Sequence, residues 1–231
     1  MKKLSLYTVL ATSFAAASIG STQAQTSTFD GFFGQVGIGF ESISPSFSNS
    51  GVNVTGYGYF PYNTSIDSSN GFTGTVTAGY MIPVTKDFLF GIGAEYSPLE
   101  SQSSNYTVGI TGLGTAQGSY KKENSYNFFV SPATPIGKDG LLYGKVGYTG
   151  ASIKSSLGSS SGSQSYSGYS LGLGYKQFIT GGLYGFAEGN YFNYGNKTNT
   201  YNGTILGAAY TETMTTSANA YNFLVGVGYK F

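Results

Sequence analysis

The chain of 231 residues carries a formal net charge of +1, and only 9% of its residues are charged. It contains no cysteine, histidine, tryptophan or arginine, which excludes a disulfide framework, thiolate chemistry and a strongly basic surface for nucleic acid. The chain has 36 glycines, and 16% of its residues are aromatic. A water-soluble domain with so few charged residues would be short of surface charge.

Residues 1–24 have the three parts of a secretory signal peptide. Two lysines give a positive start, an apolar run follows, and "TQA" (22–24) offers small residues for cleavage. A membrane-spanning helix is the alternative, but the apolar run is short and contains serine and threonine. We therefore expect cleavage after Ala24, which leaves residues 25–231 as one domain.

After this leader, eight segments alternate between apolar and small or polar residues with a period of two, which is typical of β-strands. In chain order the segments are 31–43, 71–82, 88–98, 124–132, 141–153, 167–178, 183–195 and 220–231. Each is about ten residues long, the length that a tilted strand needs to cross a bilayer.

The linkers between these segments alternate in length. The short ones are 83–87, 133–140 and 179–182, and the long ones, rich in Ser, Asn, Gly and Thr, are 44–70, 99–123, 154–166 and 196–212. This alternation predicts an all-β fold, an eight-stranded antiparallel up-and-down transmembrane β-barrel with both termini on the short-turn side. From its composition, 155–168 is expected to be a flexible surface loop.

Six charged residues fall within the strands, all in phase opposite to the apolar positions: Glu41, Glu95, Lys145, Lys176, Glu188 and Lys230. They are therefore predicted to face the barrel interior, because a charge facing lipid at mid-membrane costs about 2–4 kcal/mol. Three acids and three bases in a narrow lumen predict a charge network. We expect Glu188 to be its central residue, since it lies between two strands that each offer a lysine. The other charged residues are assigned to turns, loops or strand ends.

The inward phase of the seventh strand also contains three aromatic residues, Tyr184, Phe186 and Phe192. A β-bulge is one way to reconcile them with Glu188. The other inward positions are mostly glycines, which we expect to leave room for the long Lys and Glu side chains. Since eight strands enclose a lumen that side chains can fill, an open channel is not expected.

Outward aromatic residues gather towards the strand ends and predict two girdles at the membrane interfaces. On the short-turn side they are Phe32, Tyr80, Phe88, Tyr175, Tyr229 and Phe231, and on the other side Phe40, Phe72, Tyr96, Tyr126, Tyr169 and Tyr221. The last strand presents one apolar face, made of Phe223, Val225, Val227, Tyr229 and Phe231. We expect Phe231 to close the barrel against the first strand.

In order, "GFTGTVTAGYMIPVTKDFLFGIGAEYS", "LLYGKVGYTGA", "GYSLGLGYKQFITGGLYGFAEGNYFNYG" and the terminal "FLVGVGYKF" resemble the small outer-membrane β-barrel family of Gram-negative bacteria. That family includes the OmpA membrane domain, OmpX and the neisserial opacity proteins. The resemblance implies a location in the cell outer membrane, contact with outer-membrane lipid and lipopolysaccharide, and a terminal strand that the barrel-assembly machinery reads. No peptidoglycan-binding domain is expected after the last strand.

The absence of histidine excludes the histidine-dependent mechanisms of outer-membrane lipid-modifying enzymes and proteases. We expect no catalytic residues, no cofactor, no metal and no nucleic-acid partner. The predicted function is non-enzymatic: envelope integrity, or adhesion to a host or surface ligand through the long extracellular loops. The alternative is a small passive porin-like channel for ions or small apolar solutes. The aromatic residues within 56–63 either contact a partner or pack over the barrel mouth.

Overall fold

The computed structural model describes residues 29–110, 114–205 and 207–231, so the predicted signal peptide lies outside the described residues. Within those ranges the chain forms ten antiparallel strands: β1 (Gly31–Val54), β2 (Gly58–Ile66), β3 (Ser69–Thr85), β4 (Phe88–Ser97), β5 (Ser104–Ile110), β6 (Gly114–Ile136), β7 (Gly140–Leu157), β8 (Ser160–Thr180), β9 (Leu183–Ile205) and β10 (Ala208–Lys230). In this part of the chain, no helix is long and apolar enough to cross a membrane.

Eight of these strands close into a ring, in the order β1, β3, β4, β6, β7, β8, β9 and β10. The ring closes where β10 pairs with β1, from Phe33 opposite Lys230 to Val54 opposite Tyr210. Short turns join β3 to β4, β6 to β7 and β8 to β9 at the end that also holds Gly31 and Phe231. The predicted eight-stranded antiparallel up-and-down barrel is confirmed.

The outward face of the ring is apolar. The exposed fraction is 56% for Phe40, 61% for Phe72 and 65% for Phe231, and every aromatic residue predicted for the two girdles is exposed. The strand charges face inward: Glu41, Glu95, Lys145, Lys176 and Glu188 are all buried. This arrangement is the reverse of a water-soluble β-protein and suits a barrel that lipid surrounds.

The long linkers are largely strands, which corrects the prediction that they are loops. β1 and β6–β10 continue beyond the predicted membrane segments, and β2 and β5 are additional. At this level β2 pairs with β1, β5 pairs with β2, and β6 pairs with β5. β2 and β5 thus replace β3 and β4, and eight strands continue the barrel as a curved sheet. This sheet is open between β8 and β9, whose pairing stops at Gly168 opposite Tyr194. We call this sheet the extension.

The segment 155–168, predicted to be a flexible loop, is also β-structure. It forms the end of β7 and the start of β8, which pair from Leu157 opposite Ser160 onwards across a turn at Gly158. Its serines and glycines hide the strand from an analysis of hydrophobic periodicity, but backbone pairing needs no apolar side chain. The end of β7 pairs with both β6 and β8, whereas the start of β8 pairs with β7 alone.

β9 contains no bulge in its membrane segment. A β-bulge was therefore the wrong explanation for the aromatic residues that share the inward phase with Glu188. Its pairing with β10 is unbroken from Leu183 to Tyr194, and its pairing with β8 shifts only at the first residue, where the extra residue lies on β8 between Phe178 and Thr180. Tyr184, Phe186 and Phe192 are simply buried in the lumen. Most inward glycines therefore lie opposite aromatic rings, whereas we expected Lys and Glu side chains there. For example, a Cβ on Gly228 would lie 2.3 Å from the ring of Tyr184.

Candidate functional site

The inside of the barrel holds a buried charge cluster centred on Lys145. Its Nζ lies 3.0 Å from Glu95 Oε2 and 2.8 Å from Glu188 Oε1. These side chains come from β7, β4 and β9, so the lysine links three strands across the lumen. Each of the three residues is at most 5% exposed. Lys145, and not Glu188 as we expected, is the residue that joins two opposite charges.

Glycines on β8 make this contact possible, because β8 lies between β7 and β9 in the ring. A Cβ on Gly172 would lie 2.3 Å from Asn190 Oδ1 and 3.3 Å from Lys145 Cβ. A Cβ on Gly174 would lie 2.4 Å from the ring of Tyr143. Side chains at these two positions would separate Lys145 from Glu188.

Neutral side chains complete the hydrogen bonding of the two carboxylates. Tyr143 Oη donates to Glu188 Oε2 at 2.7 Å, and Asn190 Nδ2 donates to Glu188 Oε1 at 2.7 Å. Thr77 Oγ1 donates to Glu95 Oε2 at 3.2 Å. The carboxylates are thus both ion-paired and hydrogen-bonded, which is the condition for burying a charge in a protein interior.

Lys176 and Lys230 do not join this cluster, although the sequence analysis placed all six charges in one network. Lys176 Nζ lies 3.8 Å from the ring centroid of Phe33 and 5.0 Å from those of Tyr143 and Tyr184. None of the ion pairs between described residues includes Lys176. It is a buried cation held over aromatic faces. Lys230 lies at the rim and pairs with Asp30 at 3.4 Å.

Glu41 pairs with a lysine that the sequence analysis missed. Lys122 Nζ lies 2.5 Å from Glu41 Oε1, and Lys122 is 1% exposed. Counting back in twos from the inward Asn127 assigns Glu123, and not Lys122, to the lumen. A register shift between Lys122 and Asn124 reverses this phase. No pattern in the sequence marks the shift.

Between the two charge clusters lies a gap of about 10 Å³, lined by Glu41, Glu95, Thr75 and Asn127 among others. Thr75 Oγ1 and Asn127 Nδ2 are buried and form no hydrogen bond with the described residues. A gap of this size holds one water molecule, which both atoms are able to bind. It is far too small to be part of a channel.

The extension encloses a much larger cavity of about 570 Å³, which we call the extension cavity. Its wall is mainly apolar and aromatic, with Phe47, Ile66, Val108, Leu157, Tyr201 and Met214 among the lining residues. At its base Tyr166 Oη and Thr216 Oγ1 form a 2.6 Å hydrogen bond. Below that base, Tyr166 packs on the buried cluster of Ile43, Ala151, Phe192, Tyr194, Ala218 and Ala220.

Glu212 is the one charged residue among those described as lining this cavity. Tyr62 Oη donates a 2.6 Å hydrogen bond to Glu212 Oε1. Partial burial, together with this hydrogen bond, raises the pKa of the Tyr62 hydroxyl, so the phenol stays a donor at physiological pH. The alternation within one strand does not reveal this contact, because Tyr62 and Glu212 meet only through β1, which pairs with both β2 and β10.

The outward face of β10 ends at the seam of the barrel. Phe223, Val225, Val227, Tyr229 and Phe231 are all exposed on this face. The backbone N–H of Phe231 donates to Phe32 O at 2.9 Å. The terminal residue is thus hydrogen-bonded to the first strand, and its ring lies 5.3 Å from that of Tyr229.

Among the described residues, no group of three or more acidic, cysteine or histidine side chains is placed to hold a metal ion.

The family model for the outer membrane protein beta-barrel domain matches residues 12–231. The chain belongs to this family. It is an outer-membrane barrel.

Solved structures with a similar fold include two outer-membrane proteins. OprG of Pseudomonas aeruginosa gives a TM-score of 0.55 at 18% sequence identity, over 87% of this chain and 96% of OprG. Neisserial surface protein A gives 0.49 at 17% identity, over 87% of this chain and 98% of that protein. No curated protein sequence matches the chain. At this level of identity, the likeness to OprG shows the fold alone.

Proposed function

We propose that this protein is a non-conducting outer-membrane barrel whose membrane part is a rigid mount for the extension outside the cell. Its role is in envelope integrity or in adhesion to surfaces, and it needs no catalysis. The observation that carries the proposal is the filled lumen, in which Lys145 joins Glu95 and Glu188 across the barrel.

The lumen is blocked at several successive levels. Towards the short-turn end, Phe33, Tyr184, Phe186 and Leu224 belong to one buried cluster. The Lys145 cluster follows, and then the Glu41–Lys122 pair. An ion crossing this path would have to displace tightly packed rings and separate buried ion pairs, which favours a closed barrel over a passive pore.

The extension is the part of the molecule that suits contact with other surfaces. Tyr57 and Tyr59 at the β1–β2 hairpin are 76% and 56% exposed, whereas Tyr62 lines the extension cavity. The aromatic residues within 56–63 are thus divided between the outer surface and the inner wall. Exposed tyrosines are common in binding surfaces, since their rings supply both apolar area and a hydrogen-bonding group.

Single-channel recording in planar bilayers tests the closed lumen. We expect the purified barrel to insert and give no conductance steps. A variant with Tyr184→Ala and Phe186→Ala, checked for folding by heat-modifiable gel migration, should also stay silent, because the Lys145 cluster and the Glu41–Lys122 pair still block the lumen. Regular conductance steps from the unaltered protein would overturn the proposal in favour of the passive pore.

Surface adhesion is tested with cells that display the barrel on an otherwise non-adherent host. Replacing Tyr57 and Tyr59 with serine is expected to lower attachment to an apolar surface such as polystyrene. The matched control is Tyr126→Ser, which alters an outward tyrosine of the membrane part. Equal attachment by cells with and without the barrel would reject adhesion and leave a role in envelope integrity. That role is measured as the detergent sensitivity of a strain from which the protein is deleted.

A further inference from the structure

We propose that the extension cavity binds a small organic cation, an amine attached to an apolar body. This inference rests on the proposed function, in which the extension is the working surface of the barrel, and goes beyond it by naming a site and a class of ligand. The observation behind it is one carboxylate, Glu212, in an otherwise uncharged and largely apolar wall.

The size of the cavity suits a small molecule. Its volume of about 570 Å³ falls within the range of about 300–1,000 Å³ that is usual for ligand pockets. Residues from β1, β2, β5, β7 and β10 surround it, including Phe47, Ile66, Val108, Ile153 and Met214. An apolar ligand gains free energy from leaving water for such a wall.

The charge in the wall selects the sign of the ligand. The ion pairs formed by the described residues do not include Glu212, and no lysine lines the cavity. An apolar ligand that displaces water from this cavity would leave the carboxylate poorly solvated, which is costly unless the ligand supplies a positive charge. An anionic ligand would meet repulsion with no cation to offset it.

The surroundings of Glu212 also provide hydrogen-bond geometry. Tyr62 donates to Oε1 and holds that oxygen in place, while Oε2 is available to accept from an ammonium group. Gln164 and Asn199, which hydrogen-bond to each other at 3.2 Å, add two amides to the wall. Tyr201 lines the same space, and an aromatic ring is able to attract a cation.

The closed base makes this a binding site and not the entrance to a channel. The Tyr166–Thr216 hydrogen bond and the buried cluster under Tyr166 separate the cavity from the lumen. The ligand therefore does not enter from the lumen. Its routes are the hairpin ends near Ile110 and Leu157 and the side between β8 and β9, which do not pair beyond Gly168 and Tyr194.

The test compares 4-phenylbutylamine with 4-phenylbutanol, a neutral ligand of nearly equal shape. The full chain is held in nanodiscs of zwitterionic phosphatidylcholine, and empty nanodiscs correct for partition into lipid. Binding is measured by isothermal titration calorimetry. We expect saturable binding of the amine, about tenfold tighter than that of the alcohol.

Three variants locate the site. Glu212→Gln removes the charge but keeps an acceptor for Tyr62, and should weaken amine binding about tenfold without changing alcohol binding. Glu123→Gln is the matched control, because Glu123 accepts a hydrogen bond from Ser163 and does not line the cavity. Val108→Trp fills part of the cavity and should weaken both ligands.

Non-saturable amine binding, or equal affinity for amine and alcohol, would overturn the proposal. So would an equal loss in the Glu123→Gln variant, or unchanged binding in Val108→Trp. Conductance by the barrel would reject the proposed closed lumen but would not affect the evidence for amine binding in the extension cavity. If the barrel does not conduct and the amine does not bind as expected, the binding site is rejected and the closed lumen stands.

Discussion

Glu41 on β1 and Lys122 on β6 form a buried ion pair at the level where the barrel exchanges two of its strands. On the short-turn side, β1 and β6 are connected through β3 and β4, and on the other side through β2 and β5. β6 pairs with β5 up to Tyr120 and with β4 from Ser125. Lys122 lies in the interval between them, so this pair ties together the two strands that border the exchange.

We expect Lys122→Met to destabilise the barrel by about 3–5 kcal/mol, because Glu41 would remain buried without a counter-charge. Urea unfolding in lipid vesicles measures this free energy. The control is Lys121→Met at the preceding residue. It removes an exposed ion pair with Glu100 and should cost less than about 1 kcal/mol. Adding Glu41→Gln to Lys122→Met should recover most of the loss, and failure to do so would contradict the role of the pair.

Lys145 and Lys176 are both buried, but we expect them to respond differently to replacement by methionine. Lys145→Met leaves two carboxylates uncompensated and should cost at least about 3–5 kcal/mol. Lys176→Met should cost much less, since the methionine keeps the contacts with the rings of Phe33, Tyr143 and Tyr184. Thermal unfolding of the two variants in the same detergent makes the comparison. Equal losses would contradict the difference between an ion-paired lysine and one that contacts only aromatic rings.

Removing Phe231, or replacing it with aspartate, should impair assembly of the barrel. Removal loses the terminal backbone hydrogen bond to Phe32, and both changes lose the last aromatic ring of the outward face of β10. Quantitative immunoblotting of outer-membrane fractions, with heat-modifiable gel migration, measures the folded amount. Ser161→Asp in the β7–β8 hairpin is the matched control and should assemble normally. Normal surface levels of the Phe231 variants would reject a role for this residue in assembly.

The orientation of the barrel is testable with single cysteines, because the chain has none. Ser159 and Asp139 are exposed residues at opposite ends of the barrel. In intact cells, a membrane-impermeant maleimide should label Ser159→Cys and spare Asp139→Cys, which should react only after permeabilisation. The reverse pattern would place the extension in the periplasm.

The sequence by itself determined the membrane barrel, because lipid and lumen impose opposite demands on alternate residues. Apolar side chains such as Phe223, Val225 and Val227 had to face out, and charges such as Glu95 and Lys145 had to face in. The period of two reports this constraint directly. The same constraint explains why the strand bounds were best predicted between the two aromatic girdles.

Only the tertiary structure decided the extension and the partners of the charges. Outside the membrane both faces of a strand tolerate polar side chains, so β2, β5 and the β7–β8 hairpin leave no periodic pattern. The register shift after Lys122 reversed the inward phase, and the glycines of β8 allowed Lys145 to reach Glu188 on a strand that is not its neighbour. Ion pairs and the extension cavity depend on how separate strands are aligned around the ring, which the alternation within one strand does not encode.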